Sequence, residues 1–119
     1  MVGFIIGLSV AFVLAKIYSP HVAEMEKLPE PFYSVLWENE HVRIVEHTMA
    51  PRDSEPMHTH PEMLAYVMES SNLLITEADG TTNEVELTKG DFQQLPTWTH
   101  SIKNVGDTPL HTLLVELRR

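Results

Sequence analysis

The pair His58-Thr59-His60 is the part of this sequence whose chemistry is easiest to name. Residues two apart on an extended strand point to the same face, so the two imidazoles converge on one point. Neutral imidazole ligates iron, manganese, nickel, copper and zinc near neutral pH, and such a pair can supply two ligands to one divalent transition-metal ion. Taken alone, the pair is read more simply as two hydrogen-bonded core or surface histidines. A third histidine, His100, follows the turn Leu95-Pro96-Thr97-Trp98-Thr99 at the start of a strand that can lie across a barrel. The chain has no cysteine, which excludes disulfides and thiol nucleophiles and leaves only nitrogen and oxygen as metal ligands.

Strands are what must position these side chains. Beyond Pro31 the β-branched and aromatic runs are short, turn residues are frequent, and no apolar run keeps a helical period for three turns. The pattern predicts strands at Tyr33 to Trp37, Val42 to Met49, Met63 to Glu69, Asn72 to Thr76, Asn83 to Leu87, Phe92 to Leu95, Ser101 to Asn104 and Leu110 to Leu117. Turns fall at Asn39-Glu40, Ala78-Asp79-Gly80-Thr81, Lys89-Gly90-Asp91 and Gly106-Asp107-Thr108-Pro109, and Asp79-Gly80 is a strong hairpin signal. So many short strands must close on themselves or stack as two sheets, because an open sheet would leave unpaired edges. The expected fold is all-β, a jelly-roll sandwich or barrel.

From Glu38 to Arg119 the sequence resembles the small single-domain cupins. Their first motif, Gly-x5-His-x-His-x3,4-Glu-x6-Gly, is similar to Pro56-Met57-His58-Thr59-His60-Pro61. Their second, Gly-x5-Pro-x-Gly-x2-His-x3-Asn, is similar to the run from Gly90 through Pro96 to His100 and Asn104. The resemblance implies a cupin barrel with His58, His60 and His100 as its metal-binding histidines, a small-molecule ligand or substrate, and pairing of barrels as a homodimer. It also exposes departures. The family carboxylate falls on Leu64 or Ala65, neither of which can bind metal, and Trp98 replaces a glycine, with one residue fewer before His100. The expected site is a three-histidine centre lacking the metal-binding glutamate, with the Leu64 side chain pointing at the ion.

Other candidates are weaker. Gln94, two before Pro96 on an apolar strand, is expected at the cavity or on an exposed edge. Trp98, in the loop leading to His100, is a candidate pocket wall. His111 alternates with Leu113, Val115 and Leu117 on an apolar face of the last strand, which makes it a core histidine or a pocket residue. Glu62, although in register with His58 and His60, reads as a surface residue. His21, His41 and His47 read as structural or solvated.

With 119 residues the chain builds one core. A formal charge of −9, from 17 acidic and 8 basic residues, argues against nucleic acid, which needs clustered positive charge. Residues 1–18 open with an uncharged apolar run, MVGFIIGLSVAFVLA, read as a signal peptide, a membrane anchor or a buried apolar helix; Gly3, Gly7, Ala11 and Ala15 would share one helical stripe. The expectation is an extracytoplasmic protein, periplasmic or secreted, or one attached to a membrane. Residues 19–31 read as a linker and 32–119 as the cupin domain. Three function classes stay open: a metal-dependent enzyme acting on a small oxygen-bearing molecule, a non-catalytic module binding a small ligand or metal, and an interaction module with its histidines packed over. The motif region offers the enzyme no evident acid or base.

Overall fold

The computed structural model describes residues 25–118, so the readings made for residues 1–18 and for His21 lie outside it. Nine strands carry the fold: β1 (Tyr33–Glu38), β2 (Val42–Met49), β3 (His58–His60), β4 (Met63–Glu69), β5 (Ser71–Glu77), β6 (Thr82–Leu87), β7 (Phe92–Leu95), β8 (Trp98–Asn104) and β9 (Leu110–Leu117). Among the described residues there is no helix, and so none long and apolar enough to cross a membrane. The strands form two antiparallel sheets that face each other, ordered β1-β2-β9-β4-β7 and β3-β8-β5-β6. All eight predicted strands are present. The ninth, β3, is the histidine pair itself, and β8 begins at Trp98, which places His100 inside a strand rather than at its start.

Turn chemistry fixes the register. Gly80 adopts φ 92° in the β5–β6 hairpin, where Asp79 Oδ1 accepts hydrogen bonds from the Thr81 amide and hydroxyl. Gly90, at φ 93°, turns β6 into β7. Both conformations lie in the left-handed region, which disfavours any side chain. Asn104, with no exposed surface, donates to Met49 O and Thr108 O and accepts from the Gly106 amide, tying the β8–β9 turn to the end of β2.

The sheets enclose two apolar clusters, one of Leu28, Tyr33, Val45, Met63 and Leu114, the other of Met49, Leu73, Ile75, Ile102 and Leu110. Of the span 19–31 read as a linker, residues 25–31 are described, and Leu28 within them is not solvated. Prolines and charges around it suggested a solvated spacer, yet its side chain is buried against β1, β2, β4 and β9. Burying a leucine is worth roughly 1.5–3 kcal/mol, enough to hold such a segment on the barrel.

Candidate metal centre

His58 and His100 are direct cross-strand partners in the β3–β8 ladder, and His60 lies two residues from His58 on the same face. Strand parity therefore aims all three side chains between the sheets, and all are buried. One ring nitrogen from each lies within 4.8 Å of the others. The loop before β3 is held along β8 by Arg52 N–H to Asn104 O, Asn104 N–H to Asp53 O and Glu55 N–H to Ile102 O, which brings Glu55 into the same region.

Hydrogen bonding fixes which nitrogens are available. His58 Nδ1–H donates to Pro56 O at 2.8 Å, and His60 Nδ1–H donates to Glu116 Oε2 at 2.6 Å. With Nδ1 as the donor, each ring turns its Nε2 to the interior, and these two nitrogens are 3.0 Å apart. Neither ring nitrogen of His100 finds a hydrogen-bond partner among the described residues. Imidazole lone pairs that converge in a buried site suit a cation, and a transition metal in particular. The three histidines predicted from spacing are thus brought together as a group that could hold an ion.

Around them stands a polar shell. Glu116 on β9 accepts from Arg43 Nε on β2 at 2.6 Å as well as from His60, the carboxylate–histidine arrangement that fixes a ligand's tautomer. Glu55, with no side-chain exposure, accepts from His47 Nε2 at 2.9 Å and from the Tyr33 hydroxyl at 3.2 Å, and lies 3.3 Å from His58 Nε2. The Tyr33 ring stacks on His47, with centroids 4.0 Å apart.

Burial dominates the titration of this cluster. It lowers His100 to about 3, helped by the neighbouring His60, His58 and His47, and lowers His47 to about 3, helped by His60. His58 is also lowered by burial, partly offset by its bond to Pro56 and by Glu55. Burial raises Glu55 to about 7 against the opposing pull of His58, Tyr33 and His60, and it raises Tyr33 well above the usual phenol range, reinforced by Glu55.

From this polar end a cavity of about 200 Å³ runs between the sheets. His60, His100, Trp98 and Tyr33 line one end, and the walls are apolar, with Met63, Val67, Leu73, Ile75, Ile102 and Leu114 among them. Trp98 is the one proposed pocket residue that lines this cavity; its ring lies 4.1 Å from that of His100, and its indole N–H donates to Glu77 at 2.7 Å.

The other proposed pocket residues point elsewhere. Met63 and Ala65 line the cavity, so Leu64 between them faces outward, paired with Gln94 and Val115. Gln94 is exposed and donates to Glu62 at 3.0 Å, while its neighbours Gln93 and Leu95 face in. His111 is on the outer face of β9, 2.7 Å from Glu46, because Leu110, Thr112 and Leu114 take the inward parity. Sequence reasoning missed Tyr33, Arg43, Glu55 and Glu116. Arg43 and Glu116 are cross-strand partners on β2 and β9.

A cupin domain from Bordetella pertussis Tohama I superposes with a TM-score of 0.69, over 80% of this chain and 100% of its own, at 24% identity. This chain has the cupin fold. An RmlC-like cupin family protein with a double-stranded beta-helix fold, from Methanocaldococcus jannaschii, matches with a TM-score of 0.58 at 16% identity, over 81% of this chain and 94% of that one. A predicted oxalate decarboxylase from Thermotoga maritima matches with a TM-score of 0.54 at 20% identity, over 73% and 79%. Neither a protein-family model nor a curated protein sequence matches the chain. The buried histidine cluster could hold a metal ion within this fold.

Proposed function

We propose that this cupin-fold protein is a metal-dependent enzyme acting on a small, largely hydrocarbon molecule that carries one oxygen donor. The observation that carries this reading is a cluster of three convergent imidazoles, two of which, His60 and His100, line an apolar cavity. His58, His60 and His100 would hold the ion, which when bound supplies Lewis acidity toward the oxygen.

The chain's own residues define the rest. Walls such as Leu73, Ile75 and Ile102 exclude water and favour hydrocarbon. A cavity of roughly 150 Å³ accepts benzene, so the 200 Å³ here suits one ring, or a short branched chain, with a small substituent. Glu55, buried beside His58, is the carboxylate that the motif region lacks, and it gives the site a group able to accept a proton.

The test uses untagged full-length protein loaded in turn with manganese, iron, nickel or zinc. A panel of small phenols, ketones and short-chain acids is screened for thermal stabilisation, then for product by mass spectrometry, with dioxygen uptake followed for the iron form. Stabilisation should need the ion, and turnover should be lost in Glu55→Gln while ligand binding persists. Ion-dependent binding without turnover would select the non-catalytic ligand-binding reading. Binding indifferent to the ion would contradict both.

A further inference from the structure

The Tyr33 phenol oxygen lies 3.0 Å from His58 Nε2 and 3.4 Å from His60 Nε2, and those two nitrogens are themselves 3.0 Å apart. A tetrahedral ion with bonds of about 2.0–2.1 Å separates its ligands by about 3.3 Å. The three atoms therefore have nearly the spacing of one face of a coordination tetrahedron.

Proton accounting reinforces the geometry. The Nδ1–H groups of His58 and His60 are committed to Pro56 O and Glu116 Oε2, so both Nε2 atoms face Tyr33 as acceptors. Glu55 Oε2 is a third acceptor on the same hydroxyl, at 3.2 Å. One phenolic hydrogen cannot serve three acceptors, and a buried cluster with more lone pairs than protons is relieved by a cation.

The ring is also held in place. It stacks on His47 at an interplanar angle of 7°, and His47 Nε2–H donates to Glu55 Oε1, so Glu55 and His47 clamp the phenol from two sides. All of these groups are buried.

We infer that Tyr33 is a fourth, oxygen donor to the three-histidine centre, delivered from β1 on the opposite sheet and oriented by Glu55. The ion takes the place of the phenolic proton, which leaves to solvent. This rests on the metal-binding reading above and adds to it. The anionic oxygen that the sequence seemed to lack after the histidine pair comes instead from a tyrosine before it. With four protein donors, ligand oxygen must then enter by expanding the coordination.

The experiment is copper(II) titration of full-length, untagged protein, read by visible absorption, by electron paramagnetic resonance and by chelator competition. Phenolate bound to copper(II) gives a ligand-to-metal charge-transfer band in the visible, which imidazole ligands do not. The parent should bind one equivalent with such a band. Tyr33→Phe should still bind one equivalent with a nitrogen-dominated resonance signature, but without the band and at least about tenfold more weakly. Glu55→Gln should keep the band and bind more weakly than the parent. A parent that binds copper with a histidine signature and no band, or a Tyr33→Phe protein of parental spectrum and affinity, overturns the tyrosine assignment and leaves the three-histidine reading standing. No copper binding by the parent, or binding unchanged by His60→Ala, overturns that reading as well.

Discussion

Replacing Glu116 with glutamine isolates what the buried relay behind His60 contributes. The carboxylate has no exposed surface and accepts from Arg43 Nε and from His60 Nδ1, both at 2.6 Å. Glutamine can keep an oxygen for the His60 N–H, but it then turns its NH2, a donor, toward the Arg43 guanidinium, which is left buried without its counter-ion or acceptor. Breaking a buried pair in this way costs about 3–5 kcal/mol, and the retained hydrogen bond places the expected loss near the lower end, about 3 kcal/mol. For a domain of about a hundred residues each kcal/mol moves the melting temperature by roughly 4–8 °C, so Tm should fall by roughly 12–24 °C. Adding Arg43→Met should restore most of that loss, because the orphaned charge is gone and a chain of similar length fills its place. Metal affinity behaves differently. Weakening the acceptor on a ligand's far nitrogen lowers affinity by about 10–100-fold, and Arg43→Met cannot repair this. Calorimetric melting of the apo proteins and chelator competition on the loaded ones measure the two effects separately. A Glu116→Gln protein within about 0.5 kcal/mol of the parent, or a double variant no more stable than the single one, refutes the reasoning.

Three further outcomes follow from the site and its walls. His100→Leu should abolish metal binding yet stabilise the apo protein by about 1–2 kcal/mol, because it removes two buried nitrogens with no protein partner; equilibrium urea unfolding checks the sign. Leu64→Glu should change apo stability by less than about 1 kcal/mol and leave metal affinity as it was, since the side chain is on the outer face of β4, whereas Ala65→Phe should block small-ligand binding without loss of metal. Leu28→Ala should destabilise by about 2–3 kcal/mol in the same unfolding assay, because its side chain completes a core cluster rather than a solvated linker.

The strands were legible because their turns are chemically marked: Gly80 and Gly90 stand where φ is positive, and Asn39 Oδ1 caps the His41 and Val42 amides. The histidine group was legible for a related reason, since the His-x-His spacing fixes parity on β3 and the Pro96–His100 spacing fixes the facing strand. Parity failed where both faces of a strand are apolar. In β9 the sequence LHTLLVEL offers Leu113, Val115 and Leu117 on one side and Leu110, Leu114 and Glu116 on the other. Choosing the first as the inner face sent His111 inward and Glu116 outward, the reverse of what is found. On β4 the x3 register of the motif aimed Leu64 at the site, whereas the x4 position, Ala65, is the one that lines the cavity. Tyr33 and Glu55 were out of reach for another reason. Tyr33 meets the histidines only through tertiary closure, 25 residues from His58, whereas Glu55 is three residues before His58 but stands outside the motif spacing that marked the pair.

The central claim is that His58, His60 and His100 hold a metal ion, and elemental analysis of purified, untagged protein tests it most directly. The parent and a His41→Ala control, altered at an exposed histidine, should each carry about one transition-metal ion per chain. His58→Ala, His60→Ala and His100→Ala should each lose most of it, because two remaining imidazoles compete poorly with water and buffer for the ion. Equal metal content in all four variants, or none in a parent supplied with iron, manganese, nickel, copper and zinc, would contradict the account.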